Sequence, residues 1–159
     1  YFISSLSNNT SQAFIAQFAP NNALTWSTYF ADPNSVKSSE IVDIASYNNL
    51  LYVGGRTGDS GFPTLTGGTA YLESFHGVGA NPEPDGFIAR FNTGSHQLGW
   101  STFIGGTEND DITSITLDNR GYLFVSGRTE SNNVSYFNRL FKKHEMITPQ
   151  QFKNTFVRN

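Results

Sequence analysis

An all-β fold is predicted by three features of the sequence: a composition rich in aromatic and turn-forming residues, short runs of alternating apolar residues, and an internal repeat. Phe, Tyr and Trp make up 14% of the 159 residues, and Asp, Glu, Lys and Arg another 14%, which is too aromatic and too weakly charged for a disordered chain. The 15 glycines, with abundant Asn, Ser and Thr, supply the φ > 0 and side-chain-capped conformations needed by tight turns between short strands.

The repeat organises the chain. Gln12-Ala13-Phe14-Ile15-Ala16-Gln17-Phe18 returns as Asp85-Gly86-Phe87-Ile88-Ala89-Arg90-Phe91, and Leu24-Thr25-Trp26-Ser27-Thr28-Tyr29-Phe30 as Leu98-Gly99-Trp100-Ser101-Thr102-Phe103-Ile104. Ile41-Val42-Asp43-Ile44 then matches Ile112-Thr113-Ser114-Ile115, and Leu51 to Thr57 matches Leu123 to Thr129, with an offset that stays near 72 residues. Each copy reads as four strands: Phe14 to Phe18, Thr25 to Phe30, Glu40 to Ala45 and Leu50 to Gly55, with counterparts at Phe87 to Phe91, Gly99 to Ile104, Ile112 to Leu117 and Tyr122 to Gly127. Their period-2 alternation is that of half-buried strands. Asn92-Thr93-Gly94-Ser95 and Asp118-Asn119-Arg120-Gly121 have hairpin-turn composition, whereas the connection from Thr57 to Pro84 is long and rich in Gly and Pro. Four antiparallel strands per repeat describe β-propeller blades, so residues 1–129 are expected to form about two blades with partial flanking blades. Trp26 and Trp100 share one repeat position, as blade-packing aromatics would.

Asp85 to Phe91, Trp100 to Gly106 and Leu117 to Thr129 together resemble the bacterial SBBP β-propeller repeat, and Phe62-Pro63-Thr64 falls where that family often carries a similar run. The first copy departs from the pattern, with Ala31-Asp32-Pro33-Asn34 in place of Gly105-Gly106-Thr107-Glu108. The resemblance implies a secreted or cell-envelope protein of modular build, with no general enzymatic activity and no family-wide catalytic residues; no cofactor is expected.

Two blades do not close a ring. The ring is therefore expected to be incomplete: either these blades belong to a longer chain, as the strand-like opening Tyr1-Phe2-Ile3-Ser4-Ser5 also indicates, or the missing blades come from other copies or another polypeptide. Residues 130–159 break the pattern and read as a partial blade or a C-terminal cap. Thr148-Pro149-Gln150-Gln151 has the form of a helix start there, with Phe152 and Phe156 on one face of a short helix. This basic end is expected to be a solvated cap or link, against a docking segment for an acidic partner or a membrane surface.

A net charge of −3 and the absence of a basic patch disfavour nucleic acid, and no apolar run is long enough to span a membrane. With no Cys there is no thiolate nucleophile or zinc-thiolate site. Gly58-Asp59-Ser60-Gly61 copies the surroundings of a protease nucleophile, but the first histidine, His76, follows it where a base should precede. His76, His96 and His144 lack ligand spacing. Glu108, Asp110 and Asp111 form the densest carboxylate group and are a weak calcium candidate without EF-hand spacing. Arg56 and Arg128, at equivalent strand ends, are read as structural, with a ligand-lining role as the alternative.

The function expected is therefore a non-catalytic module for protein or glycan binding or for scaffolding. Its contact surface is sought on the Gly58 to Pro84 connection at Phe62, Tyr71, Phe75 and His76, flanked by Arg56 and Arg128. The alternatives are part of a propeller lyase or glycosidase completed by missing blades, and a structural subunit or maturation fragment of a surface assembly.

Overall fold

The computed structural model describes residues 3, 10–68, 72–77 and 83–129. Eight strands follow one another in the expected places: β1 (Phe14–Phe18), β2 (Leu24–Tyr29), β3 (Ser39–Tyr47), β4 (Leu50–Thr57), β5 (Asp85–Asn92), β6 (Leu98–Ile104), β7 (Asp110–Leu117) and β8 (Leu123–Thr129). The expected C-terminal helix and cap at residues 130–159, Tyr71 and His144 lie outside the described residues.

The strands are grouped out of phase with the sequence repeat. β3-β4-β5-β6 make one four-stranded antiparallel sheet, while β1-β2 and β7-β8 are separate two-stranded sheets. The complete blade thus takes its first two strands from one repeat and its last two from the next. Grouping by the sequence repeat would put β1 to β4 in one blade, and only the pairs β3-β4 and β5-β6 within each repeat stay together in this sheet. The long 58–84 connection, however, does not separate blades. It returns the chain antiparallel beside β4, in unbroken register from Leu50 opposite Asn92 to Thr57 opposite Asp85. The described residues form one blade flanked by two half-blades, with no closed ring.

Alternation in the two central strands serves two cores. Val53, Phe87, Ala89 and Phe91 face Ile15 and Phe30 of the preceding half-blade, together with Phe62 and Phe103. Tyr52 and Ile88 face Ile112 and Ile115 of the following one. β4 and β5 are therefore buried on both faces and read as nearly continuous apolar runs. Trp26 packs against the first core and Trp100 against the second, as their shared repeat position predicts.

The turns follow local chemistry. Asn92 Oδ1 accepts from the Gly94 and Ser95 amides at 2.9 and 2.8 Å, and Asp118 Oδ1 from the Arg120 and Tyr122 amides, both at 2.9 Å. The left-handed residue of the β5-β6 turn is His96, at φ 57°, rather than Gly94. Gly121 adopts φ 86° and lies beneath the Tyr47 ring, where a side-chain carbon would come within 2.8 Å of Cε1.

The inner hairpins carry matched irregularities: register slips between Ile41 and Asp43 on β3 and between Ile112 and Ser114 on β7. The carbonyls of Glu40 and Asp111 consequently sit over Gly55 and Gly127, where any added carbon would overlap them. Gly55→Ala is expected to lower stability by about 2–3 kcal/mol through this backbone collision, read as a shift of the urea midpoint. Gly58→Ala is the control, since its added carbon meets only the Lys37 side chain, at 3.8 Å. Equal midpoints for the two variants would rule out the collision.

Candidate functional site

The repeat places charge at one end of the strands. Glu40 and Arg56 stand opposite each other on β3 and β4, and Asp111 and Arg128 on β7 and β8. Arg56 Nε reaches Glu40 Oε2 at 3.1 Å, and its Nη1 crosses to Asp111 Oδ1 of the next blade at 3.2 Å. Asp111 Oδ2 in turn takes the Arg128 Nη2. The result is an alternating ladder, Glu40–Arg56–Asp111–Arg128, in which each arginine position serves the acid of its own hairpin and Arg56 also serves that of the following one. The hydrogen bond and charge of Asp111 raise the Arg56 pKa, against the opposing effect of burial. The outer members are exposed and screened, so the ladder sets blade register more than it adds stability.

The predicted calcium ligands do not converge. Asp110 is buried and accepts from the Gly106 amide at 2.6 Å, whereas its neighbour Asp111 points the other way into the ladder, as alternate strand residues do. Glu108 lies on the exposed loop before β7. Among the described residues no three His, Asp or Glu side chains gather as a metal site requires.

The long connection is anchored more firmly than its composition predicts. Phe62 is a core residue, in ring contact with Phe30 at 4.7 Å and Phe87 at 4.4 Å, so it offers no contact surface. The size and aromatic content of the connection and its place outside the repeated core suggest a contact surface there, but the core between half-blade and blade takes Phe62 instead. Leu65 bridges to Ser101 on the outer edge of β6, the Ser101 hydroxyl donates to the Pro63 carbonyl at 2.8 Å, and the Glu73 amide donates to Thr102 Oγ1 at 2.7 Å. The connection therefore covers an edge strand that would otherwise invite foreign pairing. Phe75 packs edge-on against Phe103 at 5.3 Å. What remains outward among the described residues is Ser60, Gly61, Thr64 to Gly68, Leu72, Ser74 and Glu83.

His76 lies between two carboxylates: its amide donates to Asp85 Oδ2 at 2.7 Å, and its Nε2 is 3.2 Å from Glu73 Oε1. Asp85 is fully buried with Oδ1 unpartnered. Burial pushes its carboxyl up to about 7, the His76 amide opposes this, and the charges of Asp110 and Glu73 add to it. A carboxyl so perturbed is a feature sought at catalytic centres, but this one has no exposed surface. Sequence reasoning missed it, although Asp85 and Asp110 were in view at two strand starts.

A second link joins the blades. Asp43 Oδ2 accepts from the Ile115 amide at 2.9 Å and the Ser114 hydroxyl at 2.8 Å. These bonds lower its pKa and give the Ile115 amide a partner across the blade boundary. Asp43→Ala is expected to cost about 1 kcal/mol by stranding that amide, and to speed hydrogen exchange at Ile115 while the β4-β5 amides keep their protection. Unchanged exchange at Ile115 would count against the cap.

No curated protein matches the chain. The matched family segment begins on β6 and runs past β8, so it straddles a blade boundary just as the internal repeat does. Residues 99–133 match the family model of the SBBP β-propeller repeat, and the antiparallel blade and half-blades around them are consistent with a β-propeller.

Proposed function

We propose that this β-propeller module is non-catalytic, belongs to a secreted or cell-surface bacterial protein, and uses the outward part of the 58–84 connection to bind a protein or glycan. The anchoring of that connection carries the proposal. Phe62, Leu65, Glu73 and His76 fix its path against β5 and β6, while Thr64 to Gly68 and Leu72 project as a small apolar-polar surface on a rigid base. Ladder carboxylates engaged by guanidiniums, and a perturbed carboxyl sealed from solvent, support a binding role over a hydrolytic one.

The test is a glycan array and a panel of purified envelope proteins, probed with the chain and with Leu65→Ser/Leu72→Ser. Retention of a ligand that is lost in the variant and recovered at unchanged mass is the expected result. Cleavage of the retained glycan would overturn the non-catalytic reading, and retention unaffected by the double substitution would overturn the assigned surface.

A further inference from the structure

We infer that residues 72–77 of the long connection form a proton-controlled strap, closed over the blade while Asp85 is protonated and released when Asp85 ionises. The inference is independent of the ligand proposed above. The connection is tied to the blade twice. Its first tie is made by core and backbone: Phe62 is buried in the first core, and Leu65 exchanges two backbone hydrogen bonds with Ser101, at 3.2 and 3.0 Å. Its second tie is polar, the Glu73 amide donating to Thr102 Oγ1 and the His76 amide to Asp85 Oδ2, both at 2.7 Å. Between the two stand Gly67 and Gly68, the latter at φ 71°. The second tie can therefore part while the first holds.

The second tie ends on a group that changes charge. Asp85 has no exposed surface, and while its Oδ2 takes the His76 amide, its Oδ1 has no hydrogen-bond partner. Ionising a carboxyl so placed is costly. The titratable groups that face it, among the described residues, are Asp110 from β7 and Glu73 and His76 from the strap itself. His76 Nδ1 is 3.9 Å from Asp85 Oδ2, but its Nε2 is engaged by Glu73 at 3.2 Å. From β4 the residue opposite is the neutral Thr57, already bonded to Ser39 at 2.8 Å, and the neighbouring Arg56 is spent on the ladder. Burial, opposed by the His76 amide and reinforced by Asp110 and Glu73, pushes the Asp85 carboxyl up to about 7 while the strap is closed. With the strap lifted, water reaches the group and restores its ordinary value of 3.8. Between these values the closed form holds a proton that the open form releases to solvent, so closure is favoured in acid and weakens as pH rises toward 7.

The first repeat carries the same tie without the switch. There the Ile3 amide donates to Thr28 Oγ1 at 3.0 Å, and Thr28 is the repeat counterpart of Thr102. The Ser39 amide donates to the Ser11 carbonyl at 3.1 Å, as the Asp110 amide does to the Pro84 carbonyl at 2.8 Å. Yet Gln12 stands in place of Asp85 and Ser39 in place of Asp110, and the Gln12 side chain donates to the Lys37 carbonyl at 2.7 Å. The fold thus builds this junction from neutral residues. Acids at the second junction are not needed for the architecture, and what they add is a response to protons.

Amide hydrogen exchange, corrected for the intrinsic pH dependence of the exchange chemistry, tests this. Protection at Glu73 and His76 is expected to fall roughly 10²-fold between about pH 5 and pH 8, while Leu65, Ser101 and the β4-β5 amides keep theirs. Asp85→Asn, which retains an acceptor for the His76 amide, is expected to hold that protection constant over the same range. Should this variant not fold, the carbon-13 shift of the Asp85 carboxyl in the parent follows the same proton directly, and Glu73→Gln, by removing one like charge, is expected to move its midpoint down. Protection at Glu73 and His76 that is flat with pH in the parent, or that falls only together with the β4-β5 amides, would overturn the inference. So would an Asp85→Asn variant that keeps the parent's pH dependence, or an Asp85 carboxyl that titrates at its ordinary value.

Discussion

Replacing Phe87 by alanine is expected to destabilise the dilute, monomeric chain by about 3–5 kcal/mol, whereas the same change at Phe14, its repeat counterpart, should cost less than about 0.5 kcal/mol. Phe87 has no exposed surface. It meets Phe30 edge-on at 5.7 Å and Phe62 at 4.4 Å, so truncation opens a cavity at the point where half-blade, blade and connection meet. The walls cannot easily collapse, because Phe30 is held next to a different sheet by the hydrogen bond from its amide to the Ala13 carbonyl and the Phe62 segment is held at Leu65. Phe14 occupies the same sequence context but stands at an open face. Urea unfolding of both variants decides the matter: comparable midpoint shifts would mean that Phe87 does not fill the inter-blade core described.

The second large effect is one of pH. The Asp85 carboxyl has an ordinary value of 3.8 and a folded value of about 7, so between these values the folded chain holds a proton that the unfolded chain has released. Stability from this group is complete below about pH 4, falls as pH rises toward 7, and is lost above that, by up to about 4 kcal/mol for a shift of this size. Asp85→Asn keeps an acceptor for the His76 amide and cannot ionise. It is therefore expected to match or fall slightly below the parent at pH 4 and to exceed it by a few kcal/mol at pH 8. The difference between the two stability-pH curves isolates this group, because every other ionisable side chain is common to both proteins. Parallel curves would mean that Asp85 is not desolvated.

The strands were legible because a two-residue period survives any later choice of neighbour. What paired with what was not, because a long connection can lead either to a new sheet or back to the old one, and only the completed β4-β5 register distinguishes them. The arginines of the ladder are visible as repeated residues, yet one of their two acids, Asp111, groups in sequence with Glu108 and Asp110 as a weak calcium candidate, since spacing along a strand does not reveal that Asp110 and Asp111 face opposite ways. The odd first copy is explained by the structure. Gly105 sits between Asp85 and Asp110, where a side-chain carbon would come within 3.0 Å of the Asp85 carboxyl carbon and 2.9 Å of Asp110 Oδ2. At the equivalent positions Gln12 and Ser39 replace the two acids, and there Ala31 is accommodated, fully buried. Three substitutions scattered over the first repeat are thus one change in one place.

The half-repeat offset between sequence unit and sheet bears on how the protein comes apart. In an array whose repeats coincide with its structural units, one unit can melt while its neighbours lose only an interface. Here each sequence repeat donates strands to two sheets, so the loss of any one repeat also removes strands from the blade it shares with the next. Nearest-neighbour coupling is covalent as well as interfacial, and unfolding is correspondingly driven toward all-or-none behaviour rather than fraying blade by blade.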